Sequence, residues 1–157
     1  HIPCGMNAKY AVPIVDVEIG STEQSWCSPT AAHAMASALV RLFDWKDPNT
    51  KSILCVGGVH FESSFCHAVL NSPENYSIAV SHILANQWVV AGEYDHDEGL
   101  AKLEFCFQSI LHGVDAIAFH DNLRGAYKEK LRSYAIQKSI PAFKHQYLRD
   151  PRKLPLR

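Results

Sequence analysis

No apolar run in this sequence approaches the roughly 18 to 20 residues of a membrane span, so no membrane partner is expected. Repeats and low-complexity stretches are also missing, which sets aside solenoids and disordered linkers. No CxxC pair occurs, and the five cysteines (Cys4, Cys27, Cys55, Cys66 and Cys106) are odd in number and scattered. That argues against a disulfide framework, and they read as reduced core residues of a cytoplasmic protein. Neither charge dominates: 15 Lys and Arg face 16 Asp and Glu, a net charge of −1. Such a balance does not coat a nucleic acid broadly, although it leaves room for a local basic groove. There is no H-E-x-x-H helix and no G-x-S-x-G elbow, so Ser63 and Ser64 are poor candidates for a nucleophile. The chain opens on His1 without the charged and apolar zones of a signal peptide, and a trimmed chain or excised domain is expected.

What is present describes an ordinary globule. With 157 residues, 47% of them apolar and 20% charged, the chain fits one domain, 1–157, and a monomer is expected. Pro13 to Ile19 reads as a strand rich in β-branched residues, followed by the glycine turn and capping hydroxyls of Gly20-Ser21-Thr22. Ser28-Pro29 opens a helix whose apolar residues from Ala32 to Phe43 form a stripe suited to a sheet. Further strands are predicted at Ile53–Val56, Tyr76–Ile83, Val114–Phe119 and Ile140–Lys144. Helices are predicted over 64–70, from Asp95 or Asp97 to His112-Gly113, and over 124–138, while 84–92 is ambiguous. Residues 146–157, with Arg149, Arg152, Lys153 and Arg157 among two prolines, read as a mobile basic tail. Alternating strands and helices predict a three-layer α/β/α fold with a mostly parallel or mixed sheet.

In such a sheet the groups that follow each strand gather along one edge. Here they are Glu18 with Ser21 and Thr22, Gly57-Gly58 with His60 and Glu62, Ser81 with His82, and His120 with Asp121. Two neutral imidazoles and a carboxylate suit a catalytic zinc site that keeps a position open for water. They equally suit a metal-free site in which one histidine is the base and a carboxylate orients it. The two glycines permit close backbone approach and offer N–H groups to an oxyanion. Any one histidine at a strand end is more often hydrogen-bonded scaffolding than a catalyst.

Several segments bear a resemblance. Val17 to Trp26 is similar to the "EIGSTE..W" signature of the archaeal and plant type of D-aminoacyl-tRNA deacylase. Val56 to Phe65 resembles that family's "GGGHYAPRF" segment, and Val80-Ser81-His82-Ile83 its "VGHI". Val114–Phe119 with Asn122-Leu123-Arg124-Gly125 is similar to the closing strand and "KGLKGE" turn. Order and separations agree over nearly all of 14–140, and the family extends further at its N-terminus, which makes this chain roughly the C-terminal portion.

The resemblance implies hydrolysis of the ester between a D-amino acid and the tRNA 3′ end, with zinc as cofactor. It makes His60 and His82 the paired catalytic residues and the metal ligands, and in the hydrolase reading Glu18 and Glu62 would orient ligands or relay protons. Substrate contacts would fall to Gly57, Gly58, Ser21, Thr22 and Arg124. The family's "APRF" is here Glu62-Ser63-Ser64-Phe65, and its "DWKGLKG" is Phe119 to Gly125. The alternatives are a noncatalytic module binding RNA, a nucleotide or a protein, and a hydrolase of another ester or amide.

Overall fold

The structure is a computed structural model that describes residues 17, 19–20, 22–42, 44, 49–59 and 62–156. The chain divides into two compact units, Ile14–Pro48 and, in the other, His1–Pro13 with Asn49–Arg157. In the first unit, α1 (Glu23–Trp26) is a single turn capped by Thr22, whose Oγ1 accepts the Ser25 N–H at 3.3 Å. The helix expected after Ser28 is α2 (Pro29–Arg41), with Ser28 Oγ accepting the Ala31 N–H at 3.3 Å. Its apolar stripe buries none of its residues, and Val40 is 77% exposed. The strand predicted over Pro13–Ile19 lies mostly outside the described residues; Val17 and Ile19, which are described, are not in a strand.

The larger unit carries β1 (Lys51–Val56), α3 (Ser63–Leu70), β2 (Ile78–Leu84), α4 (Asn86–Ala91), α5 (Asp97–Ser109), β3 (Ala116–Phe119), α6 (Gly125–Gln137) and β4 (Ala142–Lys144). The ambiguous stretch after β2 is thus a short helix. Helix α5 starts after His96 with no side-chain cap, so neither Asp95 nor Asp97 is its cap. Asp97 and Glu98 instead sit in its first turn, where their charge favours the positive end of the helix dipole.

The four strands are parallel in the order β2-β1-β3-β4. Continuous apolar runs are what a sheet covered on both faces demands, and β1 and β3 meet that demand. Ile53 and Cys55 with Ala116 and Ala118 pack on Phe65 and Ala68 of α3. Leu54 and Val56 with Ile117 and Phe119 pack on Val89, Leu103, Leu131 and Tyr134 of α4, α5 and α6. This is the expected three-layer arrangement. Residues 53–56 are fully buried, which contributes roughly 1.5–3 kcal/mol for each large side chain.

The β1–β2 register shifts between Ile53 and Leu54, because Ile53 pairs with Val80 and Leu54 with His82. Ser81 is the extra residue, and its hydroxyl bonds that of Ser52. Strand side chains alternate between faces, so the bulge moves His82 from the face of Ile78 and Val80 to that of Leu54 and Leu84.

Two expectations are corrected. Cys27, Cys55 and Cys66 are free thiols, but Cys106 is disulfide-bonded, so the five cysteines are not all reduced. Burial of Cys106 on α5 fits a core thiol and a half-cystine equally well, which is why its sequence context did not separate them. The expected mobile tail is largely packed. Residues 145–149 and 151–153 form two 3-10 turns that bury Leu148 and Pro151, and Leu154 is buried just after them. Tyr76 Oη donates to the Pro151 carbonyl at 3.1 Å, tying the turns to the chain just before β2. Among the described residues no helix is long and apolar enough to cross a membrane.

Candidate functional site

Helix α3 carries the chain outward from β1 to β2 on one face, and α6 carries it outward from β3 to β4 on the other. The winding therefore reverses between β1 and β3, and it is beyond the C-terminal ends of strands at such a reversal that open α/β sheets bind ligands. The groups at this edge come from the segments after β1, β3 and β4.

Strand β1 leaves the sheet through Gly57 and Gly58, both at positive φ (92° and 67°). A Cβ on Gly57 would lie 2.8 Å from Leu123 Cγ and 3.0 Å from His120 Cβ; one on Gly58 would lie 2.9 Å from Glu62 Cγ. The glycines are there so that Glu62 and His120 can come close to the backbone. Their N–H groups are committed, Gly57 to the Leu84 carbonyl at 2.8 Å and Gly58 to Asn122 Oδ1 at 3.0 Å. The expected offer of these donors to an oxyanion is corrected accordingly.

Glu62 caps α3, its Oε1 accepting the Ser64 N–H at 3.2 Å. Its Oε2 faces Nε2 of His120 at 3.7 Å, an ion-pair distance longer than a hydrogen bond. Burial raises the Glu62 pKa, but the hydrogen bonds from Ser64, the His120 imidazole and the Val59 N–H together hold it below the ordinary carboxylate value. His120 stacks on His145, with centroids 4.1 Å apart and planes inclined by 25°, and Phe65 stands edge-on to both rings. His145 Nδ1 lies 4.0 Å from Asp121 Oδ2, which also accepts from Gln146 Nε2 at 2.6 Å. Burial first, and then the neighbouring His120, lower the His145 pKa, while Asp121 and Glu62 pull it upward. A carboxylate thus faces each of two stacked imidazoles, an arrangement able to orient rings and pass protons.

Of the residues expected at the site, Glu62, Gly57 and Gly58 meet here, together with His120 and Asp121. His82 is buried within β2, on the face that the bulge gives it. Arg124 is the exposed N-cap residue of α6, and Thr22 belongs to the other unit. Glu18, Ser21 and His60 lie outside the described residues. His145 was missed, although it directly follows β4 just as His120 follows β3, and the same strand-end rule would have found it.

The zinc expected on His60 and His82 depends on a residue outside the described ones. Among the described residues no three His, Cys, Asp or Glu groups come together to hold a cation. The described imidazoles at this edge instead face carboxylates, His120 Nε2 at 3.7 Å from Glu62 Oε2 and His145 Nδ1 at 4.0 Å from Asp121 Oδ2.

Among curated proteins, a D-aminoacyl-tRNA deacylase from Cenarchaeum symbiosum (strain A) is 30% identical over 70 residues. The match takes in 45% of this chain but only 26% of that relative's length. The family model for D-aminoacyl-tRNA deacylase matches residues 3–143, the sheet and nearly all of its helices included. By that match, the chain belongs to the D-aminoacyl-tRNA deacylase family.

Proposed function

We propose that this chain takes part in hydrolysing the ester that joins a D-amino acid to the 3′ end of tRNA, releasing the amino acid and free tRNA in the cytoplasm. The observation that supports this reading best is the Glu62–His120 pair, set at the winding reversal of a chain whose family match spans residues 3–143. Ester hydrolysis needs a base for water, an orienting carboxylate and a donor for the developing oxyanion. The two imidazoles and the carboxylates of Glu62 and Asp121 that face them supply the first two. Asn122 is suited to the third: its Oδ1 is taken by the Gly58 N–H, so the opposite atom of the amide, Nδ2, is the donor left for substrate. His60 and His82 are assigned to the site by resemblance.

Purified protein is expected to release D-amino acid from D-aminoacyl-tRNA faster than L-amino acid from the matched L-form. His60→Ala and Glu62→Gln are each expected to slow that release while the fold persists. A protein that binds tRNA but turns over neither form would instead be the noncatalytic module. Equal turnover of simple esters and aminoacyl-tRNA would make it a hydrolase of another ester.

A further inference from the structure

The two stacked imidazoles are not equivalent. Nδ1 of His120 accepts the Asn122 N–H at 3.2 Å, so the proton of the neutral ring sits on Nε2, the nitrogen that faces Glu62. A ring bonded in this way has no lone pair left for a water. His145 is turned the other way. Its Nδ1 is buried without a hydrogen-bond partner and lies 4.0 Å from a carboxylate oxygen of Asp121. A proton on Nδ1 is favoured by that carboxylate, and it leaves the lone pair on Nε2, which makes no hydrogen bond to a described residue. Gln146, the next residue in the chain, holds the same Asp121 oxygen at 2.6 Å and so fixes the orienting group from behind.

We propose that His145, oriented by Asp121, is the general base that activates water in this chain. The proposal rests on the hydrolytic reading given above. The water oxygen attacks the ester carbonyl carbon, one of its protons passes to Nε2 of His145, and the carbonyl electron pair moves onto oxygen. The tetrahedral intermediate then collapses and breaks the bond to the ribose oxygen, which takes the proton back from the imidazolium. One water is consumed, a carboxylic acid and a ribose hydroxyl are formed, and no oxidant or reductant is needed. The groups facing His145 are His120 and Glu62 across the stack, Asp121 after β3, and Arg149 on its own turn. Their balance with burial keeps the ring neutral to lower pH than an ordinary histidine, as a base must be before it accepts a proton.

The test uses the full chain with D-aminoacyl-tRNA and the variants His145→Ala, His145→Asn and Asp121→Asn. With wild type active, loss of the base is expected to lower kcat by roughly 10²–10⁴-fold with KM little changed. Asp121→Asn, which removes a charge that raises the proton affinity of His145, is expected to lower kcat and move the acidic limb of kcat/KM to lower pH. An active wild type whose His145 variants keep their rate overturns the proposal and leaves the hydrolytic reading standing. An inactive wild type overturns both. Because a core variant at His145 can fail to fold, nitrogen NMR of the wild-type ring supplies a second measurement. A proton on Nδ1 is expected at neutral pH, and a proton on Nε2 overturns the assignment.

Discussion

Gly58 and Glu62 fit together as a backbone and the side chain that covers it. A Cβ on Gly58 would lie 2.9 Å from Cγ and 3.0 Å from Oε2 of Glu62, at a backbone φ of 67°. Gly58→Ala therefore adds strain at a left-handed position and displaces the carboxylate. Destabilisation of roughly 1–3 kcal/mol is expected by denaturant titration. Turnover should fall further than this loss of stability explains, since Glu62 no longer reaches His120. A Gly58→Ala protein with wild-type turnover would show that the seating of Glu62 does not matter to the reaction.

Asn122 links the same corner to the turn after β3. If its amide is the oxyanion donor, Asn122→Ala should lower kcat by roughly 10²-fold. Asn122→Asp keeps an acceptor for the Gly58 N–H but not the donor, so it should recover stability without recovering rate. Steady-state kinetics beside a thermal melt separate the two effects, and recovery of rate by Asn122→Asp would exclude the donor role.

The sheet could be read from sequence because β1 and β3 are continuous apolar runs, and a strand buried on both faces leaves few other patterns. Ser28-Pro29 fixed the start of α2 for a similarly local reason, a hydroxyl cap and a first-turn proline. The site was only half legible. Glu62 and His120 each stood out at a strand end, but their 3.7 Å approach depends on strand order, and 59 residues lie between the end of β1 at Val56 and the start of β3 at Ala116, a separation that no local pattern bridges. The bulge at Ser81 belongs to the pairing of β2 with β1 and has no signature in β2 alone. Leu148 and Leu154 were hidden among charges, in turns too short to show a helical period.

Glu104 joins α5 to α6. It accepts from Lys138 Nζ at 2.7 Å and from Tyr134 Oη at 2.6 Å, and these bonds, with Lys138 first, hold its carboxyl down to about 2. Since the folded value lies below the ordinary carboxylate value, this contribution to stability is complete above that ordinary value. It is lost as pH falls toward about 2. Denaturation midpoints of wild type and Glu104→Gln should therefore differ at pH 7, with the gap narrowing below the ordinary carboxylate value and closing only as pH reaches about 2. A constant gap down to that pH would mean that the carboxylate charge is not what the two helices use.

Leu148 has no exposed surface and packs with Phe65, Phe143 and Leu154 behind the histidine stack. Leu148→Ala should cost about 2–5 kcal/mol, measured by denaturant titration. Truncation after Gln146 should cost more, because Leu154 goes as well. If the truncated chain keeps full stability, the C-terminal turns are not part of the core.

The position of β1 in the sheet bears on the order in which the chain can assemble. Both of its neighbours, β2 and β3, follow it in sequence, the second after three intervening helices. During synthesis, which delivers the N-terminal side first, β1 is available before either neighbour, and its pairing with β3 waits until residue 119 has emerged. Distant parallel pairings of this kind form slowly. Of the described strands, β1, buried from Ile53 to Val56, is thus the one that stays longest without its final partner.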